Sequence, residues 1–141
     1  MRSYDTAICY NSLAFVYESC EKFDKALEFY QKSLEIREHI LGENHPHTAL
    51  LYNNIAGIYT IFAEYQEALE LYKKALSITT KTLGENHPEN STHYNNIAWV
   101  NYTMGEYETA LAQYKISLEI SKNSLGEKHP STLQSYDNRL N

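Results

Sequence analysis

The hexapeptide Leu41-Gly42-Glu43-Asn44-His45-Pro46 returns as Leu83-Gly84-Glu85-Asn86-His87-Pro88 and, with one change, as Leu125-Gly126-Glu127-Lys128-His129-Pro130. The interval is 42 residues both times. A fixed period of this length means that one supersecondary unit is stacked on copies of itself, which restricts the fold before any other feature is read. All three prolines and three of the five glycines fall inside the hexapeptide, so the breaks in the chain keep phase with the repeat.

The period reaches well beyond the loop. Aligning 45–86 with 87–128 gives 18 identities in 42 positions, a degree of divergence that suits natural repeats better than a consensus design. Residues 3–44 form an earlier copy, in which Tyr10, Ala14, Ala26, Leu27, Tyr30 and Leu34 fall in step with Tyr52, Ala56, Ala68, Leu69, Tyr72 and Leu76. Residues 129–141 begin a fourth copy, with Tyr136 in step with Tyr94. The expectation is one domain over 1–141 with repeats at about 3–44, 45–86 and 87–128. A partial fourth repeat or capping helix would occupy 129–141. Three units are about the minimum for a stable stack.

Composition narrows the function classes. A net charge of −6 argues against nucleic acid, which needs a basic face to displace counterions. No run of 18 apolar residues and no signal-type N-terminus is present, so the chain reads as soluble, with no membrane partner. Cys9 and Cys20 are the only cysteines. On one helix they would stand about 16 Å apart, too far to bridge, so reduced structural thiols and a cytoplasmic compartment are expected. Asn90-Ser91-Thr92 and Asn101-Tyr102-Thr103 match the glycosylation pattern, but so short a motif arises by chance and the second would sit within a helix.

Two helices are expected in each unit. Pro46 suits a first helical turn, and Tyr52, Ile55, Ala56, Tyr59 and Phe62 follow at helical spacing. The stretch Ala63-Glu64-Tyr65 breaks that phase, after which Tyr65, Ala68, Leu69, Tyr72, Ala75, Leu76 and Thr79 set up a second run. Gly84, after Leu83, is placed to close the second helix in a left-handed conformation. Ala56 with Ala68, and Ala98 with Ala110, mark where two helices approach. Eleven of the thirteen tyrosines are in register, Tyr4 and Tyr102 excepted, which points to packing with each hydroxyl reaching a rim partner.

The pattern Tyr52-x-x-Ile55-Ala56-x-x-Tyr59, then Tyr65-x-x-Ala68-x-x-x-Tyr72-x-x-Ala75-Leu76, resembles a tetratricopeptide repeat. The 42-residue period and the Leu-Gly-Glu-Asn-His-Pro connection are similar to those of the kinesin-light-chain type, over essentially all of 3–141. The resemblance implies an all-α fold, a right-handed α-solenoid of antiparallel helix pairs, whose first helices line a concave groove for extended or partly helical peptides. It carries over a set of groove positions: a row of Asn11, Asn53, Asn95 and Asp137, a second of Phe15, Gly57 and Trp99, and a third of Glu18, Thr60 and Tyr102.

Asparagine amides at one-repeat spacing match the paired N–H and C=O groups of a peptide backbone, at about 0.5–1.5 kcal/mol for each bond. The alternative is that they bond between adjacent helices, a role that suits Asn54 and Asn96. Trp99 is the only tryptophan, and Tyr102 lies three residues on along the same face. These two either anchor a ligand or pack under a helix at 130–140 or under further repeats. Asn101 stands where Tyr17 and Tyr59 stand in the other units, so the third unit is expected to pack differently.

The departures from the resemblance bear on the ligand. Kinesin light chains carry basic residues at the end of the first helix. Here those stretches are Glu18-Ser19-Cys20, Thr60-Ile61-Phe62 and Tyr102-Thr103-Met104, with no cation, while Lys73, Lys74 and Lys115 belong to second helices. A chaperone-type carboxylate clamp is likewise missing, with Lys81 the one exception to weigh. A neutral to basic, partly aromatic ligand suits such a groove.

The histidines do not suggest a metal, since His45, His87 and His129 are one repeat apart and do not converge. Phosphate loops, nucleophile elbows and other catalytic motifs are also missing, so neither an enzyme nor a cofactor is expected. Two functions compete: a module that binds a protein or peptide in the groove at Asn11, Asn53, Asn95, Phe15, Trp99 and Tyr102, and a structural array that self-associates through its repeat ends or belongs to a longer solenoid.

Overall fold

A computed structural model describes residues 3–125. Six helices run through them: α1 (Tyr4–Ser19), α2 (Phe23–Leu41), α3 (Pro46–Ile61), α4 (Tyr65–Leu83), α5 (Pro88–Thr103) and α6 (Tyr107–Leu125). The lengths alternate between 16 and 19 residues. The partial repeat expected at 129–141, with Tyr136 and Asp137, lies outside the described residues, as do Gly126, His129 and Pro130. Contacts are densest within two units, Met1–Ala75 and Leu76–Asn141, which divide inside α4.

In the first unit α1 and α2 are antiparallel, because their partners advance in opposite directions along the chain. Tyr30 donates to Glu18 Oε1 at 2.8 Å, while Ser33, later in α2, donates to the carbonyl of Ala7, earlier in α1, at 2.7 Å. Ala14 and Ala26 are fully buried between the two helices, where a larger side chain would hold the backbones apart. Their core continues into α3 through Tyr30, Leu51, Ile55 and Ile58, with Phe23, Leu27 and Tyr59 packed against it.

In the second unit α5 and α6 pair in the same sense, with Asn101 on Gln113 and Ser91 on both Ser117 and Ser121. Ala98 and Ala110 are buried like their counterparts. The rest of this core is more polar, holding Asn90, Ser91, His93, Asn101, Ser117 and Ser121. Three of these replace a residue of different character one repeat earlier: His93 stands in the place of Leu51, Ser91 in that of Ala49, and Asn101 in that of Tyr59.

The turn between paired helices is a Schellman motif, formed three times. Lys22 N–H bonds the Tyr17 carbonyl and Glu21 N–H that of Glu18, with equivalents at Glu64 and Ala63 and at Glu106 and Gly105. The motif needs one residue at positive φ, and Glu21 (61°), Ala63 (62°) and Gly105 (84°) supply it. Only the third repeat uses the residue for which this conformation is free of strain.

The hexapeptide makes the other connection, with an unexpected part for its histidine. His45 and His87 are N-caps whose ring Nδ1 accepts the second helical amide, from His47 and Glu89, at 3.1 Å in both cases. Ser3, in the same register, caps α1 through its hydroxyl. Pro46 and Pro88 take the first helical turn as expected. Gly42 and Gly84 have φ of +85° and +100°. At Gly42 ψ is 169°, so this glycine lies in the extended positive-φ region and not in the left-handed helical one. Thr48 and Asn90, one repeat apart, then tie the new helix to the carbonyls of Gly42 and Gly84.

Candidate functional site

Spacing of four and then three residues puts the expected groove positions in one stripe on each first helix. On α1 the stripe is Asn11, Phe15 and Glu18, with Phe15 exposed and the other two half-buried. On α3 it is Asn53, Gly57 and Thr60, all half-buried. On α5 it is Asn95, Trp99 and Tyr102, and here all three are exposed. Asn53 and Asn96 each engage a partner within the protein. Asp137 lies outside the described residues.

The third row has an internal task. The tyrosine of each second helix reaches back to it: Tyr30 donates to Glu18, and Tyr72 shares a hydrogen bond with Thr60. In the third repeat burial first, and then Tyr102, raise the Tyr114 hydroxyl above its ordinary range. Burial first, and then the Glu18 carboxylate, push the Tyr30 hydroxyl well above its ordinary range, so it stays a neutral donor. Tyr52 behaves alike with Glu38, again chiefly through burial. These bonds give Tyr30, Tyr52 and Tyr72 rim partners of the kind expected.

Trp99 and Tyr102 come together as their spacing requires. Their rings stack with centroids 5.7 Å apart and planes at 21°. A third ring joins them: Tyr107, from the first turn of α6, lies 5.4 Å from Tyr102 at 58°. By its register with Tyr65, Tyr107 reads from the sequence as a packing residue. Its exposure, 63%, together with 54% for Trp99 and 51% for Tyr102, makes the three a single open aromatic surface. The signal available was position, because Tyr107 directly follows the turn that ends Tyr102's helix.

Several other candidates resolve into local structure. His47 Nδ1 bonds the Tyr4 hydroxyl at 2.8 Å, and His45 caps its helix. No group of three potential ligands for a metal occurs among the described residues. Cys9 and Cys20 are unpaired and exposed, not enclosed in a core as structural thiols would be. Asn90 and Asn101 are buried with bonded side chains, which leaves neither glycosylation triplet an accessible amide.

The sequence profile of the tetratricopeptide repeat matches residues 5–81 and, overlapping, 48–123. The chain belongs to the tetratricopeptide-repeat family. Its all-α architecture of repeated helix pairs is that of the family, and its neighbours include repeats of the kinesin-light-chain kind. BtubC (BKLC) from P. vanneervenii is 26% identical with a TM-score of 0.87, over 98% of this chain and 56% of that one. A Podosopora anserina protein, described as a kinesin light chain with nearly identical TPR-like repeats, is 24% identical with a TM-score of 0.79, over 96% of this chain and 64% of that one. The tetratricopeptide chain thus spans less than two thirds of the length of either structure. The N-terminal domain of C. elegans stress-induced protein-1 (STI-1) shares the fold alone, at 17% identity and a TM-score of 0.68, over 98% of this chain and 97% of that one. Among curated protein sequences there is no match. Tetratricopeptide repeats serve generally as protein–protein interaction modules.

Proposed function

We propose that this tetratricopeptide array binds a peptide or partner segment along the stripes of its first helices. The observation that carries the reading is the open ring surface of Trp99, Tyr102 and Tyr107 beside exposed Asn95. Rigid aromatic rings supply contact area at low entropic cost, and they dominate the energy of many interfaces. Asn11, Asn53 and Asn95 would address the ligand backbone, with Phe15 as an apolar contact on α1. The first-helix ends lack cations, which favours a neutral to basic ligand.

No helix among the described residues is long and apolar enough to cross a membrane. Two exposed, unpaired cysteines suit a reducing, cytoplasmic setting. The array acts in this reading by binding, without catalysis. Its test is selection of peptides from a displayed library on the folded chain, followed by affinity measurements. Trp99→Ala should weaken a selected peptide at least tenfold, and Asn53→Ala with Asn95→Ala should weaken it less. Unchanged affinity with an intact helical spectrum would sink the proposal.

A second reading is favoured by α1. Cys9, Leu13 and Val16 are exposed, Val16 at 57%, whereas Leu51, Ile55 and Ile58 at the same repeat positions are buried. Self-association that covers this face would make the array structural. Sedimentation velocity over a range of concentrations decides it: a monomer throughout, unaltered by Val16→Lys, removes the reading.

A further inference from the structure

The charge around the aromatic surface identifies the chemistry that completes it. Rings in the first unit are already faced by cations from the protein itself. Lys32 Nζ stands 5.7 Å from the ring centre of Tyr10 and 5.2 Å from that of Phe29. Lys74 Nζ stands 4.7 Å from Tyr52, and the Arg37 guanidinium 5.5 Å from Tyr4. The lysine contact is a property of the repeat, since Lys32 over Tyr10 and Lys74 over Tyr52 are 42 residues apart.

The third repeat breaks this pattern. Ile116 occupies the position of Lys32 and Lys74. From Thr82 to Tyr114 there is neither lysine nor arginine, but there are four glutamates: Glu85, Glu89, Glu106 and Glu108. Glu106 and Glu108 flank Tyr107 directly, and both are exposed. Lys115, the next cation along α6, is eight residues from Tyr107, about 12 Å along the helix axis. Among the described residues no cation lies over Trp99, Tyr102 or Tyr107. The most electron-rich ring in the chain therefore lies open in a stretch that carries carboxylates and no lysine or arginine.

We infer that the ring surface of Trp99, Tyr102 and Tyr107 is a receptor for a cationic side chain of the partner, an arginine above all. A guanidinium is planar and weakly hydrated, so it can lie flat on the indole while its N–H groups turn to Glu106 or Glu108. An ammonium is held by the same quadrupole but keeps more of its water. An acidic partner would meet Glu106 and Glu108 beside the rings and no counter-charge there. The inference rests on the proposed peptide-binding role and adds the chemistry of one ligand side chain.

Because Trp99 is the only tryptophan, its fluorescence and its indole N–H resonance report on this surface alone. The probes are three capped tripeptides, Gly-Arg-Gly, its citrulline counterpart, which has nearly the same shape but no charge, and Gly-Glu-Gly, titrated into the full chain at fixed ionic strength. The arginine peptide should shift the indole resonance at about two- to five-fold lower concentration than the citrulline peptide, and the glutamate peptide should be weakest. Glu106→Gln with Glu108→Gln should narrow the gap between arginine and citrulline and leave the citrulline response in place.

Equal responses to arginine and citrulline would overturn the cation inference and leave the binding role standing. Indole fluorescence that neutral acrylamide fails to quench would show the rings covered in solution, which also overturns it. If instead Trp99→Ala leaves selected peptides bound while the unaltered chain still prefers arginine at its indole, the binding role assigned to the rings falls and the cation preference remains.

Discussion

Asn101 donates to Gln113 Oε1 at 2.7 Å in the third repeat, at the place where Tyr17 stacks on Phe29 at 5.6 Å in the first. The second repeat puts Tyr59 and Leu71 there. Two residues on different helices have thus changed together from an apolar pair to an amide pair. A buried amide without a partner costs more than the bond it would make contributes, so each member constrains the other. Asn101→Tyr alone and Gln113→Leu alone should each destabilise the chain by about 1–2 kcal/mol. The double variant should recover at least about 0.5 kcal/mol of their sum. Urea unfolding of the four proteins measures the coupling, and additive effects would mean that the pair is incidental.

The Schellman turns offer a cleaner backbone test. Ala63 holds φ at 62° and Gly105, its equivalent, at 84°. A side chain at Gly105 would meet nothing within 4 Å, so any cost of Gly105→Ala is conformational. Ala63→Gly should stabilise by up to about 1 kcal/mol, and Gly105→Ala should destabilise by a similar amount. Thermal melts followed by circular dichroism should show opposite shifts of about 2–4 °C.

His93 replaces Leu51 in the core and is 5% exposed, with neither ring nitrogen hydrogen-bonded. Burial pulls its pKa down from 6.5 to about 4. Between those values the unfolded chain binds a proton that the folded one does not. Stability from this group is therefore intact above pH 6.5, falls as the pH drops, and levels off below about 4. The total loss is about 3 kcal/mol. His93→Leu should raise stability at neutral pH and remove this component, visible as a widening gap between the two proteins in urea titrations from pH 7 to pH 4. Parallel profiles would contradict the assignment.

What the sequence disclosed follows from what periodicity encodes. Apolar spacing fixes which face of a helix is buried, so the helix pairs and the alanines at their approach, Ala14 with Ala26 and Ala98 with Ala110, were legible. Proline and glycine placed the loop. Positive φ at Glu21 and Ala63 was hidden, because only Gly105 bears the residue that advertises it. Tyr107 beside Tyr102 was hidden for another reason: a contact across a turn depends on how the next helix leaves it, and periodicity within one helix is silent on that. Asn101 was visible as a departure, but its partner Gln113 could be found only across the helix pair.

The last prediction concerns the histidine that the period made conspicuous. A free amide at a helix N-terminus needs an acceptor, and serine, threonine, aspartate or asparagine normally supplies it. At residue 3 this chain uses a serine and at 45 and 87 a histidine whose Nδ1 does the same work. The imidazole serves because the chain is extended at the cap, with φ −99° and ψ 141° at His45, which turns the ring over the first turn. His87→Ala removes the acceptor and should cost about 1 kcal/mol, whereas His87→Ser should retain most of it. If the histidine were kept for a metal or a ligand, serine and alanine would be equally poor replacements. Urea unfolding of the two variants separates the cases: serine above alanine identifies a cap, and equality removes it.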